Sequence, residues 1–300
     1  MNKSYLYAAL AILCWSTVST AFKLSLGYLT PLGLMSISSL SAMLFLFIVL
    51  LFNKSGEKIS VASQLKRSLI PGLLNPALYY FMLFEAYNRI KAQEAQVLNY
   101  TWAIVLSLFM IAYYKQRFRW SDMAALFISF CGVVVISTHG DFGSLQFDSL
   151  SGSILAISSS LVWASYWLIN HQDRRPATQK LFFNFVVGSM AIVVFVTIKY
   201  LILHTPIVFK ANHTNHLYGI LGGVYIGIFE MGLTFLLWNK ALASTDETSK
   251  IANLIFITPF ISLIFIKYIL LERIHPATLI GLVLIILSNT FQKLWTKSRT

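Results

Sequence analysis

Hydrophobic and polar positions fall along this chain in long blocks. Apolar runs of roughly twenty residues, the length that crosses a bilayer as a helix, are separated by short polar or charged turns. Ten such runs cover residues 4–23, 31–52, 67–87, 93–114, 120–138, 150–170, 180–203, 216–241, 249–271 and 276–295. Each is continuously apolar, without the every-second-residue alternation of a barrel strand, so the pattern predicts helices. The first run starts directly after Lys3. It is too long for the apolar core of a secretion signal and lacks a small-residue cleavage site, so it reads as a retained span.

Composition supports the same picture. Of 300 residues, 57% are hydrophobic and 11% charged, where a soluble domain carries about 25% charged residues. The mean hydropathy is +0.71. The expected fold is an all-α integral membrane protein. A net charge of +12 would suggest nucleic acid in a soluble chain; here it sorts by side of the membrane. With a cytoplasmic N-terminus, sixteen of the 23 basic residues fall on the cytoplasmic side and seven on the other. That asymmetry predicts ten spans with both termini cytoplasmic, in the cell inner (plasma) membrane, with lipid and not nucleic acid as surroundings. The outside loop "HGDFGSLQFDS" contains no Lys or Arg. Cys14 and Cys131 sit inside apolar runs without the spacing of a metal or redox motif and read as small buried hydrophobes.

The two halves of the chain resemble each other. "LFEAYNRIKAQEAQVLNYTWAIVLSLF" and "LWNKALASTDETSKIANLIFITPFISLIF" share an order of features at an offset of about 155 residues. Each ends one span, crosses a short polar loop and starts the next. "ALAILCWST" and "ISSSLVWAS" place Trp15 against Trp163. The expected organisation is a five-helix repeat over 1–138, an outside connection over 139–149 and a second five-helix repeat over 150–295. Because five is odd, the repeats are inverted, the arrangement of secondary transporters with a site near the midplane.

The chain resembles the drug/metabolite transporter superfamily in its ten-span form with two EamA-type domains. "LAILCWSTVSTAFKLSLGYLTPLGLMSISSLSA" and "NYTWA" resemble the aromatic amino acid exporters of the YddG type. That group usually has Pro after the tryptophan of the second segment, where this chain has Ala103. The resemblance implies transport of a small organic metabolite, an amino acid or amine-like compound, by alternating access, with export as the direction.

One residue raises a chemical question. Glu230 lies in the middle of "GGVYIGIFEMGLTFLLW", where an ionisable side chain is costly and marks function by default. It could pair with the positive part of a substrate, carry a proton, or serve as a structural acid bonded to a neighbouring helix. The repeat offset relates it to Asn75 in "PGLLNPALYY", so the two side chains are expected at equivalent depths facing one cavity. Pro76 frees a carbonyl one turn back. Trp15, Tyr79, Tyr80, Asn99, Tyr100, Trp102 and Trp163 are further candidates to line that cavity, since aromatic faces box organic cations. Tyr166 and Trp167 belong to the same group of in-span aromatics. Gly219, Gly223 and Gly227, four apart, form a small-residue face for close helix packing or a gating hinge, and Pro76 and Pro259, the latter in "FITPF", join them as packing or gating candidates.

Glu85 and Arg89 are spaced as an ordinary helical ion pair, and Glu94 suits a helix N-terminus. Lys23, Lys199 and Lys267 lie near span ends, where they can snorkel. His204, His213 and His216 read as loop residues. The chain carries no nucleotide-binding loop, metalloprotease helix or nucleophile elbow, so neither an enzyme nor a pump with its own ATP site is expected, and no cofactor or metal. A proton-coupled importer of a cationic or zwitterionic metabolite, a channel, and a non-transporting protein on the same scaffold are the alternatives.

Overall fold

The computed structural model describes residues 3–52, 60–115, 120–141, 149–204, 208–210, 216–245, 251 and 254–297. Lys54, Lys58, Arg117, Arg119, His213, Lys250, Arg299 and most of the 139–149 connection lie outside the described residues. Ten helical rods run through those that are described, and they follow the ten apolar runs. They are α1 (Lys3–Tyr28), α2 (Pro31–Phe52), α3 (Val61–Gly72, Leu73–Leu78 and Tyr79–Arg89), α4 (Ala92–Asn99 and Trp102–Tyr113) and α5 (Trp120–Ser137). Then come α6 (Leu150–Gln172), α7 (Ala177–Leu203), α8 (Leu217–Tyr225, Ile226–Leu233 and Thr234–Ala243), α9 (Leu254–Ile257 and Thr258–Ile269) and α10 (Pro276–Lys297). Six stretches, within α1, α2, α4, α6, α7 and α8, are long and apolar enough to cross a membrane by length and composition. Shorter apolar stretches lie in α5, α9 and α10.

Local chemistry sets several of the ends. Ser60 and Ser149 cap α3 and α6, each accepting a hydrogen bond from the backbone N–H three residues on. α7 stops at His204, which turns left-handed at φ 50° while its N–H returns to Tyr200 O at 2.8 Å. α1 and α3 run beyond the expected residues 23 and 87. At that end Lys23 Nζ donates to the carbonyls of Tyr87 and Ile90, both at 2.7 Å, so the ammonium satisfies carbonyls at the end of α3.

Two rods depart from regular α-helix in the middle. In α3 the bend spans Leu73–Leu78; Asn75 leaves helical geometry (φ −140°, ψ 116°) where Pro76 has no N–H to give. In α8 a π-helical segment, Ile226–Leu233, holds Glu230. A milder pair of irregularities breaks α4 at Tyr100 and Thr101 and opens α9 with a tight turn over Leu254–Ile257.

The rods pack mainly across the two halves. α1 lies against α8 and α9, and α6 lies against α3 and α4. α2 packs on α7 and α8, α7 on α2 and α3, and α5 on α10. Exchanging the first five rods for the last five maps this set of contacts onto itself. The glycine face of α8 supports the close approaches. A Cβ on Gly219 would meet Tyr28 and Leu29, one on Gly223 would meet Ile37, and one on Gly227 would strike the Ser38 carbonyl and Ser41. Pro259, buried in the first turn of the main α9 segment, sits where a missing N–H costs nothing.

Candidate functional site

Inside the bundle is a cavity of about 210 Å³, bounded by α1, α3, α4, α6, α8 and α9. Seven of the nine candidate substrate residues line it: Trp15, Tyr79, Asn99, Tyr100, Trp102, Trp163 and Glu230. Nine of the nineteen lining residues are aromatic. Tyr79 and Trp163 stack at 4.4 Å with 28° between planes. Trp15 meets Trp238 at 5.5 Å and Phe235 edge-on at 6.0 Å, while Trp163 meets Phe235 at 5.6 Å. Trp15 thus rests on α8 and Trp163 on α3, each tryptophan seated on a rod of the opposite half.

Glu230 is 7% exposed. Tyr80 Oη donates to its Oε1 at 3.1 Å. Trp15 brings its indole N–H close to the same carboxylate, short of a full hydrogen bond. The other oxygen, Oε2, has no hydrogen-bond partner among the described residues. Tyr80 therefore acts on the cavity through the carboxylate and is not part of the lining. Asn99, near the α4 break, accepts from Tyr79 Oη at 3.3 Å and donates to Ser159 Oγ at 2.8 Å. Next to it Thr101 donates to Ser160 Oγ at 2.9 Å, which ties the break to α6.

Asn75 lies elsewhere. The offset pairs it with Glu230, and both occupy the irregular segments of their rods, but Asn75 is fully buried and is not part of the cavity wall. Its neighbourhood is Tyr166, near Asn184 of α7. The reason is steric: the Pro76 ring presses on Gly188 of α7, which seats the α3 bend against that rod. The sequence reading also passed over Ser19, Tyr87, Gln96, Trp238 and Thr258, all of which line the cavity. Tyr87 donates to Ser19 Oγ at 2.7 Å, joining α3 to α1. Gln96 had a usable signal, a polar side chain three residues before Asn99 on one helix face.

Polar contacts close one end of the bundle, near the α3–α4 and α9–α10 loops. Glu272 accepts from the backbone N–H groups of Ala92 and Gln93 at 3.0 and 3.4 Å, capping α4 from the opposite half. Gln93 Oε1 accepts from His275 N and Thr278 Oγ1, both at 3.0 Å. Glu94 meets His139 Nε2 at 2.9 Å. Glu85 and Arg89 pair at 3.0 Å, as their spacing implies. At the other end Arg175, 4% exposed, pairs with Asp173 at 2.6 Å and donates to Gln64 and Ser68 of α3. Burial works against the Asp173 carboxylate, but the hydrogen bonds and charge of Arg175 prevail and hold it below its ordinary pKa. Among the described residues no three His, Cys, Asp or Glu side chains are grouped to hold a metal.

A helical bundle of this apolarity has the character of a multi-pass membrane protein, and the family match makes it one of the transporter class. The chain belongs to the EamA-like transporter family, which it matches over residues 2–138 and 150–291. The implied membership of the drug/metabolite transporter superfamily therefore holds. It is 25% identical over 285 residues to an uncharacterized transporter of Archaeoglobus fulgidus, covering 93% of each chain. It is 24% identical over 291 residues to the uncharacterized transporter YvbV of Bacillus subtilis, covering 96% of this chain and 90% of that one. The aromatic amino acid exporter YddG of Ancylobacter novellus is 24% identical over 253 residues, covering 79% and 78%. A solved crystal structure shares the fold with a TM-score of 0.63 at 20% identity, covering 99% of both chains.

Proposed function

We propose that the protein is a secondary transporter that moves a small organic metabolite bearing an amino or other cationic group, an amino acid or an amine, across the cell's inner membrane by alternating access. The observation that carries this reading is the buried Glu230 carboxylate, which lines a chamber with Trp15, Tyr79 and Trp163 and has one oxygen without a hydrogen-bond partner among the described residues. A cation entering there gains an opposite charge and ring faces together; each cation–π contact is worth about 0.5–2 kcal/mol. Ten spans in two inverted five-helix repeats, with cytoplasmic termini, are the topology proposed. It is supported by the exchange symmetry of the packing, by the paired irregularities in α3 with α8 and α4 with α9, and by the distribution of basic residues. Export is the proposed direction, in line with the YddG relative.

The test is flux by purified protein in liposomes, wild type beside Glu230→Gln, with folding checked by thermal melting. The isosteric amide is expected to remain folded and to lose most transport. Near-normal flux by a folded Glu230→Gln protein would sink the assignment.

A further inference from the structure

The hydrogen-bond inventory of the chamber wall bears on the charge its solute can carry. Some of the polar hydrogens lining it are given to protein acceptors. Tyr79 Oη gives to Asn99, Asn99 Nδ2 to Ser159, and Tyr87 Oη to Ser19. Tyr80 Oη, behind the wall, gives to Glu230. Among the described residues the buried lining atoms without a partner are two pure acceptors, Glu230 Oε2 and Gln96 Oε1, and one hydroxyl, Thr258 Oγ1. A carboxylate and an amide oxygen can only accept.

No Lys, Arg or His stands among the described residues of the wall. Lys23, one residue beyond the lining residue Phe22, has its ammonium on the carbonyls of Tyr87 and Ile90. The donors left for a solute are all neutral: indole N–H groups, the Tyr100 and Thr258 hydroxyls and the Gln96 amide. An incoming carboxylate would lose its water without meeting a cation, and would share the chamber with Glu230. An incoming ammonium meets acceptors and aromatic faces. At about 210 Å³ the chamber falls below the roughly 300–1,000 Å³ of sites for drug-sized ligands, so the solute is metabolite-sized.

We infer that the chamber selects monocationic amines without a carboxylate and discriminates against zwitterionic amino acids. The inference rests on Glu230 as the amine anchor of the proposed transporter and adds the sign of charge that the rest of the chamber refuses.

Three probes share one ring and one amino group: phenethylamine, phenylalanine methyl ester and phenylalanine. Binding to purified wild-type protein is measured by thermal shift and checked by counterflow in liposomes, with Glu230→Gln in parallel. The expected result is that the amine and the ester bind at least about tenfold more tightly than the zwitterion, a difference that titration resolves easily. Glu230→Gln is expected to lose the two cations. Phenylalanine binding as tightly as phenethylamine to wild type, with both lost in Glu230→Gln, overturns the charge selection and leaves the anchor intact. An amine preference that persists in Glu230→Gln overturns the inference by assigning the selection to another group. No response to any of the three overturns the amine-anchor reading and this inference with it.

Discussion

At the scale of single residues, the aromatic wall and the Asp173–Arg175 pair make the clearest predictions. Trp163 stacks on Tyr79 and touches Phe235, so Trp163→Ala removes a ring face and leaves a void beside Glu230. Aromatic pairs contribute about 0.5–1.5 kcal/mol beyond their buried area. Apparent solute affinity is expected to fall by about tenfold, with Trp163→Phe recovering much of it in the same flux assay. Asp173 makes a pH prediction. Its carboxyl is held below the ordinary value, so its stabilising contribution is complete above the unfolded-state pKa and is lost as pH falls through the lower folded value. Asp173→Asn is expected to lower the melting temperature at neutral pH. Wild type should converge on the variant as pH drops below the ordinary carboxylate value of about 3.9. Melting curves on detergent-purified protein across that range check both statements. Glu230 and most of the ring positions were legible from one acid and several aromatics inside apolar runs. Asn75 shows the limit: like Glu230 it lies in an irregular helical segment, but the Pro76 ring packed close to Gly188 goes with a position away from the cavity wall.

At the scale of elements, the rods were readable because apolar length is a one-dimensional signal, whereas bends depend on neighbours. Pro76 announced the bend in α3, but "IGIFEMGL" contains nothing that forbids a regular helix, and the π segment there becomes visible only in three dimensions. The glycines of α8 were legible as a run four apart, and their close neighbours lie on α1 and α2. Gly227→Val is expected to be strongly destabilising, because its side chain would collide with the Ser38 carbonyl, a backbone atom that cannot swing away. Gly27→Ala is the matched control, since no neighbouring atom lies within 4 Å of the added carbon. Folded yield after size-exclusion chromatography should drop for the first and hold for the second. Equal yields would mean that α2 and α8 do not need this approach.

At the scale of the whole molecule, polar contacts near the α3–α4 and α9–α10 loops tie the two halves together at one end of the bundle. In the proposed alternating-access cycle these contacts part. They are hydrogen bonds accepted by Gln93 Oε1 and by Glu272, so Gln93→Ala together with Glu272→Gln is expected to favour the parted state. The reporter is a single cysteine at Ser19, in a background lacking Cys14 and Cys131, reacting with a membrane-impermeant thiol reagent. Labelling is expected to speed up several-fold in the double variant, and an unchanged rate would remove these bonds from the access pathway. The sequence hinted at Glu94 as a helix-terminal acid but not at Glu272, because a cap supplied from 180 positions away leaves no local spacing to read.

That borrowed cap has a consequence for how such a molecule is assembled. Glu272 finishes a helix belonging to the other half of the chain, and α1, α3, α6 and α8 likewise find main partners across the divide. Neither half therefore carries a complete set of neighbours, and each resembles one member of an obligate pair that happens to be joined by a tether. Cut between the halves and produced from two separate genes, the pieces should find one another in the membrane and restore the solute chamber. Either piece made alone should be cleared by the cell's proteases.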